Sequence, residues 1–285
     1  MTRDFALRQT PSLAEAAAAW VGGDPAARPE PAAPRLASTV VLLREHDGGP
    51  QVFLLQRVAG MAFAASMLVF PGGGVDERDG DEMPWAGPSP ATWAGRLRCD
   101  ERTARMLVAA AVREVFEECG VLLAGLDEHR LVPDVTDPRW GAEREALEAR
   151  RISLGELLRR ERLVLRTDLL AYRAHWVTPL FEPRRYDTRF FAAVLPEGQV
   201  ADDRTSEAEH ADWHDPAQVL HAAGRGEAML MPPTQVSLEE VAAAGSVEEL
   251  LRPPAQVPAI CPELAEVDGE VVIRVPELAP AQDPR

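Results

Sequence analysis

The residues with the clearest chemical meaning are Glu114, Glu117 and Glu118, in the run Ala111-Val112-Arg113-Glu114-Val115-Phe116-Glu117-Glu118-Cys119-Gly120-Val121. Read as a helix, this run puts the three carboxylates at i, i+3 and i+4, on one face. Two like charges about 4 Å apart repel by roughly 4 kcal/mol at an effective dielectric near 20, so a compact protein rarely keeps three without a compensating cation. A hard divalent ion that prefers oxygen ligands is the natural compensation. An acidic helix face turned to solvent is the ordinary explanation for clustered glutamates. It does not account for the glycine-rich turn Phe70-Pro71-Gly72-Gly73-Gly74 upstream or for the stop at Gly120.

The glutamates need a long helix beneath them. The pattern predicts one that starts near Asp100 or Glu101 and runs to Cys119, with Met106, Leu107, Ala110 and Val115 toward the core and Gly120 ending it. Upstream, residues 38–43 and 52–55 are β-rich runs separated by the turn-forming cluster Glu45-His46-Asp47-Gly48-Gly49-Pro50, which makes a hairpin. Arg57 follows the second strand and could pair with phosphate, although a surface Arg at a strand end explains it equally well. Residues 66–70 read as the next strand. It delivers Gly72, Gly73 and Gly74, where consecutive glycines permit positive φ and let backbone groups approach a ligand closely.

The segment from Arg113 to Val121 resembles the second half of the Nudix box, Arg-Glu-apolar-any-Glu-Glu-any-Gly-apolar, and fills every fixed position. The resemblance implies an α/β fold, the Nudix α/β/α sandwich with a mixed sheet. It implies hydrolysis of a diphosphate linkage in a small nucleoside-diphosphate derivative, with Mg²⁺ or Mn²⁺ as cofactor. Glu114, Glu117 and Glu118 would hold the metal with a Gly73 carbonyl, and Arg113 would orient the carboxylates. A carboxylate, either Glu114 or a glutamate from a late loop, would take the proton of the attacking water. In the loop from Asp202 to His210, Glu207 is preferred to Glu209 for that role. The rival class is a Nudix module that binds a nucleotide and regulates a partner without catalysis. Such modules often lose box carboxylates, and here the core three are intact.

The box is interrupted. Forty residues separate Gly73 from Arg113, where the common pattern has 14, so 26 are inserted. The first Glu of the pattern then has no single counterpart: counting forward from Gly73 reaches Asp79, counting back from Arg113 reaches Arg105, and Glu77, Asp79, Glu82 and Glu101 are all open. The insert, about residues 78–100, carries Trp85 and Trp93, which argue against a disordered loop. It is expected to fold over the rim of the site or against a partner chain.

A long box insertion followed by Val121-Leu122-Leu123 is similar to the Nudix branch that contains a peroxisomal coenzyme A diphosphatase and many bacterial relatives. Gly60-Met61-Ala62-Phe63-Ala64 and Leu230-Met231-Pro232-Pro233-Thr234 resemble that branch too, and the resemblance covers about residues 36–240. It points to coenzyme A or an acyl derivative as the first substrate to consider. The chain ends Asp283-Pro284-Arg285, without a peroxisomal address.

The remaining segments frame this core. Residues 11–21 read as a helix capped by Ser12 and Glu15, followed by a Pro- and Ala-rich linker, so residues 1–35 are expected to form an appendage. The hydrolase domain is expected over 36–245, with a helical insertion at about 127–168 built from stretches 143–151 and 154–162. Their mixed charges suit a scaffold or a homodimer contact. Residues 169–179 and 184–194 read as two strands joined by a polar turn. They carry Arg184, Arg185 and Arg189, the densest basic cluster and the candidates for phosphate recognition. Asp215-Pro216 opens a helix. Residues 246–285 form a C-terminal extension with a hairpin turning at Asp268-Gly269.

Composition bounds the rest. With 285 residues and 46% hydrophobic content the chain can bury a sizeable core, and its formal charge of −16 argues against nucleic acid or an anionic membrane as partner. Residues 58–75 are free of charge, but Pro71 and the glycines end a helix there, so a buried loop and strand is preferred to a membrane span. Cys99, Cys119 and Cys261 form no C-x-x-C pair and suit a reducing cytoplasm, and residues 1–23 make a poor signal peptide.

Overall fold

The computed structural model describes residues 2–7, 17, 20, 21, 23, 28, 30–57, 67–205 and 208–276. The expected capping box at Ser12 and Glu15, the 60–64 segment and Glu207 lie outside the described residues. In chain order the strands are β1 (Thr2–Ala6), β2 (Arg35–Arg44), β3 (Gln51–Arg57), β4 (Leu68–Val69), β5 (Gly72–Gly74), β6 (Trp85–Ala86) and β7 (Ala124–Gly125). Then come β8 (Val164–Arg166), β9 (Ala171–Val177), β10 (Tyr186–Val194), β11 (Ala208–His214), β12 (Ala259–Ile260), β13 (Glu263–Val267) and β14 (Glu270–Pro276). The helices are α1 (Pro90–Leu97), α2 (Glu101–Cys119), α3 (Pro138–Glu148), α4 (Leu154–Glu161), α5 (Pro216–Gly224), α6 (Pro232–Ala243) and α7 (Val247–Leu251). Among the described residues no helix is long and apolar enough to cross a membrane.

The chain divides into two compact units. The larger comprises Ala37–Arg173 and Arg189–Pro253. Its sheet runs β11-β3-β2-β10-β9, with β4 beside β3 and β5 beside β2. Residues 40–43 of β2 and 52–55 of β3 are buried without alternation, as expected of strands covered on both faces. They pair as an antiparallel hairpin with Leu43 opposite Val52, and the turn places Gly49 at φ 112°. Strand β5 lies antiparallel to β2, with Gly72 opposite Thr39 and Gly73 opposite Ser38. Glycine is needed at position 72, since a Cβ there would stand 2.5 Å from the Ser38 carbonyl oxygen.

Helix α2 starts and stops where its sequence signals lie. The Asp100 side chain accepts from Thr103 N–H at 2.9 Å, and Gly120, at φ 69°, donates its N–H to the Phe116 carbonyl. Met106, Leu107, Ala110 and Val115 are buried, as the apolar spacing predicts. The buried Ser38 hydroxyl donates to the Leu107 carbonyl at 2.6 Å and ties β2 to the helix.

The box insert differs from the flap expected of it. It begins as a 3-10 turn at Glu77–Gly80 and continues through β6 into α1, which packs on α2. Trp93 is fully buried, edge-on to Phe191 with ring centroids 5.8 Å apart. A rim flap would leave that indole in water. The insert is instead part of the unit's own core, and β6 joins β8 in parallel while β7 joins β8 antiparallel, in a small second sheet.

The smaller unit comprises Met1–Leu36, Ala174–Thr188 and Pro254–Arg285. Strands β1, β14 and β13 form an antiparallel sheet in that order, and the β13–β14 turn has both Asp268 and Gly269 at positive φ, the geometry a tight Asp-Gly hairpin needs. Strand β12 runs parallel to β9, with Ala259 opposite His175. The fold is thus α/β with mixed sheets.

Candidate active site

The last two turns of α2, strand β5 and the 3-10 turn meet at Arg113. Its guanidinium forks onto Asp79, with Nε 3.0 Å from Oδ1 and Nη2 3.0 Å from Oδ2. The same Nη2 donates to the Gly74 carbonyl at 2.9 Å, while Nη1 donates to Glu114 Oε1 at 2.6 Å and reaches Glu117 at 3.4 Å. Two parallel N–H···O bonds make the Asp79 contact the strongest and most directional of these. Asp79 is 2% exposed, and it is itself held by the turn, where Asp76 N–H donates to its Oδ2. Of the carboxylates open as counterpart to the first box Glu, Asp79 is the one that meets Arg113. The forward count from Gly73 reached it, and the backward count did not because the inserted residues follow it.

Glu118 accepts from Gly72 N–H at 2.8 Å. The Glu114 carboxylate lies directly on the Gly73 backbone, where a Cβ would come within 2.6 Å of it. Strand β5 therefore presents one glycine to each of three groups: Gly72 to Glu118, Gly73 to Glu114 and Gly74 to Arg113.

The electrostatics follow from burial. Withdrawal from water pushes the Glu114 carboxyl up to about 7 despite the pull of Arg113, and Glu117 and Asp79 are raised for the same reason. Burial acts to lower the Arg113 value, but Glu114, Asp79 and Glu117 more than reverse this and hold it protonated. One cation thus faces three carboxylates, with a fourth, Glu118, adjacent in sequence. Among the described residues no group of three Asp, Glu, His or Cys side chains is gathered as a preformed metal site, because Arg113 draws Glu114 and Glu117 to itself. The donor set nevertheless suits a hard divalent cation: it is all oxygen, it carries more negative charge than Arg113 balances, and it lies on a glycine backbone with no side chain in the way.

The other expected residues are distributed as follows. Arg57 stands at the end of β3, its N–H bonded to the Met67 carbonyl, and Arg189 is buried in β10 of the same unit. Arg184 and Arg185 belong to the smaller unit, where Arg184 is exposed. Arg185 is buried there and donates to the carbonyls of Thr178 and Ala32. Sequence reasoning did not single out Arg144 of α3, whose Nε donates to the Glu117 carbonyl at 2.7 Å and whose Nη1 bonds Asp202 at 2.5 Å. No local pattern marks such a residue.

Known proteins resemble this chain. A family model described as the NUDT19 Nudix domain matches residues 100–241. The solved NUDIX hydrolase from Alicyclobacillus acidocaldarius superposes with a TM-score of 0.67 at 26% identity, covering 77% of this chain and 96% of that one. Putative nudix hydrolase 7 of Caenorhabditis elegans is 26% identical over 228 residues, which is 78% of this chain and 66% of that protein. Acyl-coenzyme A diphosphatase NUDT19 of Xenopus laevis is 23% identical over 221 residues, 64% of this chain and 57% of that protein. The chain thus spans less than two thirds of the length of either curated relative. Fold, box and family model together make the chain similar to the Nudix hydrolases. Within that superfamily the chain resembles the coenzyme A diphosphatase branch.

Proposed function

We propose that this chain is a metal-dependent hydrolase that cleaves the diphosphate bond of a nucleoside-diphosphate-linked substrate, with coenzyme A or an acyl-coenzyme A the first substrate to test. The observation that carries the proposal is the buried cluster of Asp79, Glu114 and Glu117 on Arg113, set against a strand of three glycines. The choice of coenzyme A is supported by the named activity of the Xenopus laevis relative and by the long box insert.

In this reading Glu114, Glu117 and Glu118 hold Mg²⁺ or Mn²⁺, with Gly73 supplying a carbonyl. Held there, the ion would offset the diphosphate charge and lower the pKa of the attacking water. Arg113 keeps the carboxylates in register through charge-assisted hydrogen bonds, and Asp79 fixes Arg113. Glu114 and Glu207 are the candidates to take the proton of the attacking water. Arg57 and Arg189, which belong to the same unit as the carboxylate cluster, supply positive charge to the substrate phosphates.

The test is a panel of coenzyme A, ADP-ribose, NADH, nucleotide sugars and nucleoside triphosphates with Mg²⁺ or Mn²⁺, products identified by mass, for the wild type and for Glu118→Gln. Turnover of one diphosphate that falls by about 100-fold or more in the variant is expected, as for loss of a group that acts on the transition state. Absence of turnover, with nucleotide binding unchanged by the substitution, would overturn the enzyme reading in favour of a nucleotide-binding module.

A further inference from the structure

Helix α2 ends in a difficult place. Its last carbonyls have no partner within the helix, and this is the turn that carries Glu117 and Glu118. Two of these carbonyls are taken up by residues outside the box. Arg144, from the helical insertion, donates its Nε–H to the Glu117 carbonyl at 2.7 Å, and Asp202 donates its backbone N–H to the Cys119 carbonyl at 2.9 Å. Arg144 and Asp202 are then joined to each other, Nη1 to Oδ1 at 2.5 Å, and Arg204 bonds the other Asp202 oxygen at 2.6 Å.

The staple is tightly built. Arg144 is 6% exposed, and Trp140, one turn before it on α3, packs edge-on against Phe116 with centroids 6.3 Å apart. A Cβ at Gly120 would stand 2.9 Å from Arg144 Nη1, so the glycine that ends the helix also makes room for the guanidinium. A cation at a helix C-terminus also opposes the negative end of the helix dipole. The ion pair holds the Asp202 carboxyl below its ordinary value even though burial acts to raise it.

We infer that Arg144 is a positioning residue for Glu117: it fixes the peptide that bears this carboxylate, and so joins the helical insertion to the metal-binding face of α2. This rests on the reading that the box carboxylates hold the divalent ion. Arginine suits the role because its planar fork addresses the carbonyl and the carboxylate at once, which one ammonium on a flexible stem does less well.

The experiment compares wild type, Arg144→Met, Arg144→Lys, Glu117→Gln and the Arg144→Met/Glu117→Gln double variant. It reads Mn²⁺ affinity from the electron paramagnetic resonance of the free ion, and kcat and KM on whichever diphosphate the wild type hydrolyses. Arg144→Met is expected to weaken Mn²⁺ binding and lower kcat by about tenfold or more, the size usual for groups that orient metal ligands. KM should stay within about threefold. Arg144→Lys should recover part of both losses, and Arg144→Met should add nothing once Glu117 is Gln.

A lower melting temperature with unchanged Mn²⁺ affinity and kcat would overturn the inference, as would losses that multiply independently in the double variant. Should Arg144→Met not fold, Asp202→Asn breaks the same fork from its more exposed side and is read by the same criteria. Mn²⁺ binding that follows Arg144 in a protein without diphosphate turnover would support the staple and overturn the proposed activity. Mn²⁺ binding unaffected by Glu117→Gln would overturn both.

Discussion

Arg113 carries one positive charge and bonds three carboxylates, so each partner matters in a different way. Asp79 takes two of the guanidinium's hydrogen bonds and is the most deeply buried of the three. Asp79→Asn keeps the shape but removes a charge from a buried pair, and breaking such a pair costs about 3–5 kcal/mol. Urea denaturation should show a loss of this order, and an unchanged midpoint would mean that Glu114 and Glu117 alone compensate Arg113. Gly73 is the opposite case, a residue whose value lies in what it lacks. In Gly73→Ala the methyl group meets the Glu114 carboxylate at 2.6 Å, so the carboxylate must leave its place. The expected result is a stability cost of about 1–3 kcal/mol, as for overpacking, together with a fall in kcat larger than the change in KM.

The box insert is an element in which local structure and role diverge. Its length and tryptophans suggested a cover for the site, yet its first turn supplies Asp79 and its helix supplies Trp93 to the core. Trp93→Ala should therefore behave as a core truncation, costing about 3–5 kcal/mol in chemical denaturation, while the kcat of the folded fraction stays near the wild-type value. A loss of activity without loss of stability would return the insert to the rim. The helical insertion is tied in the same way, since α3 brings Trp140 to Phe116 and Arg144 to the end of α2.

For the molecule as a whole, the uncompensated buried carboxylates should show in the pH dependence of stability. Burial raises the Glu114 carboxyl from 4.5 to about 7 in the folded state, so between these values the folded protein binds more protons than the unfolded chain. Stability then falls as pH rises across that window, because the slope follows protons bound unfolded minus protons bound folded. Thermal melts in chelator at pH 5 and pH 7.5 should show the higher midpoint at pH 5 from this group. If Mn²⁺ is held by these carboxylates as proposed, the difference should shrink, since a bound ion would favour the ionised form and stabilise the folded state by mass action. Asp76, which is lowered to about 2, and Asp202, which is also lowered, act oppositely and only in more acid solution, where their protonation removes stability.

The sequence by itself determined the parts that depend on neighbours along the chain. The spacing of Glu114, Glu117 and Glu118 places them on one helical face whatever surrounds it. Asp100 and Gly120 cap that helix by local hydrogen bonds, and Asp268-Gly269 turns its hairpin for the same reason. Tertiary structure decided which acidic residue faces Arg113, because Glu77, Asp79, Glu82 and Glu101 are chemically alike and only closure of a 34-residue separation brings Asp79 to it. It also decided that Trp93 lies inside and that Arg144 meets Asp202 across 58 residues. Periodicity carries no information about such contacts, since each depends on where two distant backbones are brought together. The helix was legible before folding, and the setting of its carboxylates was not.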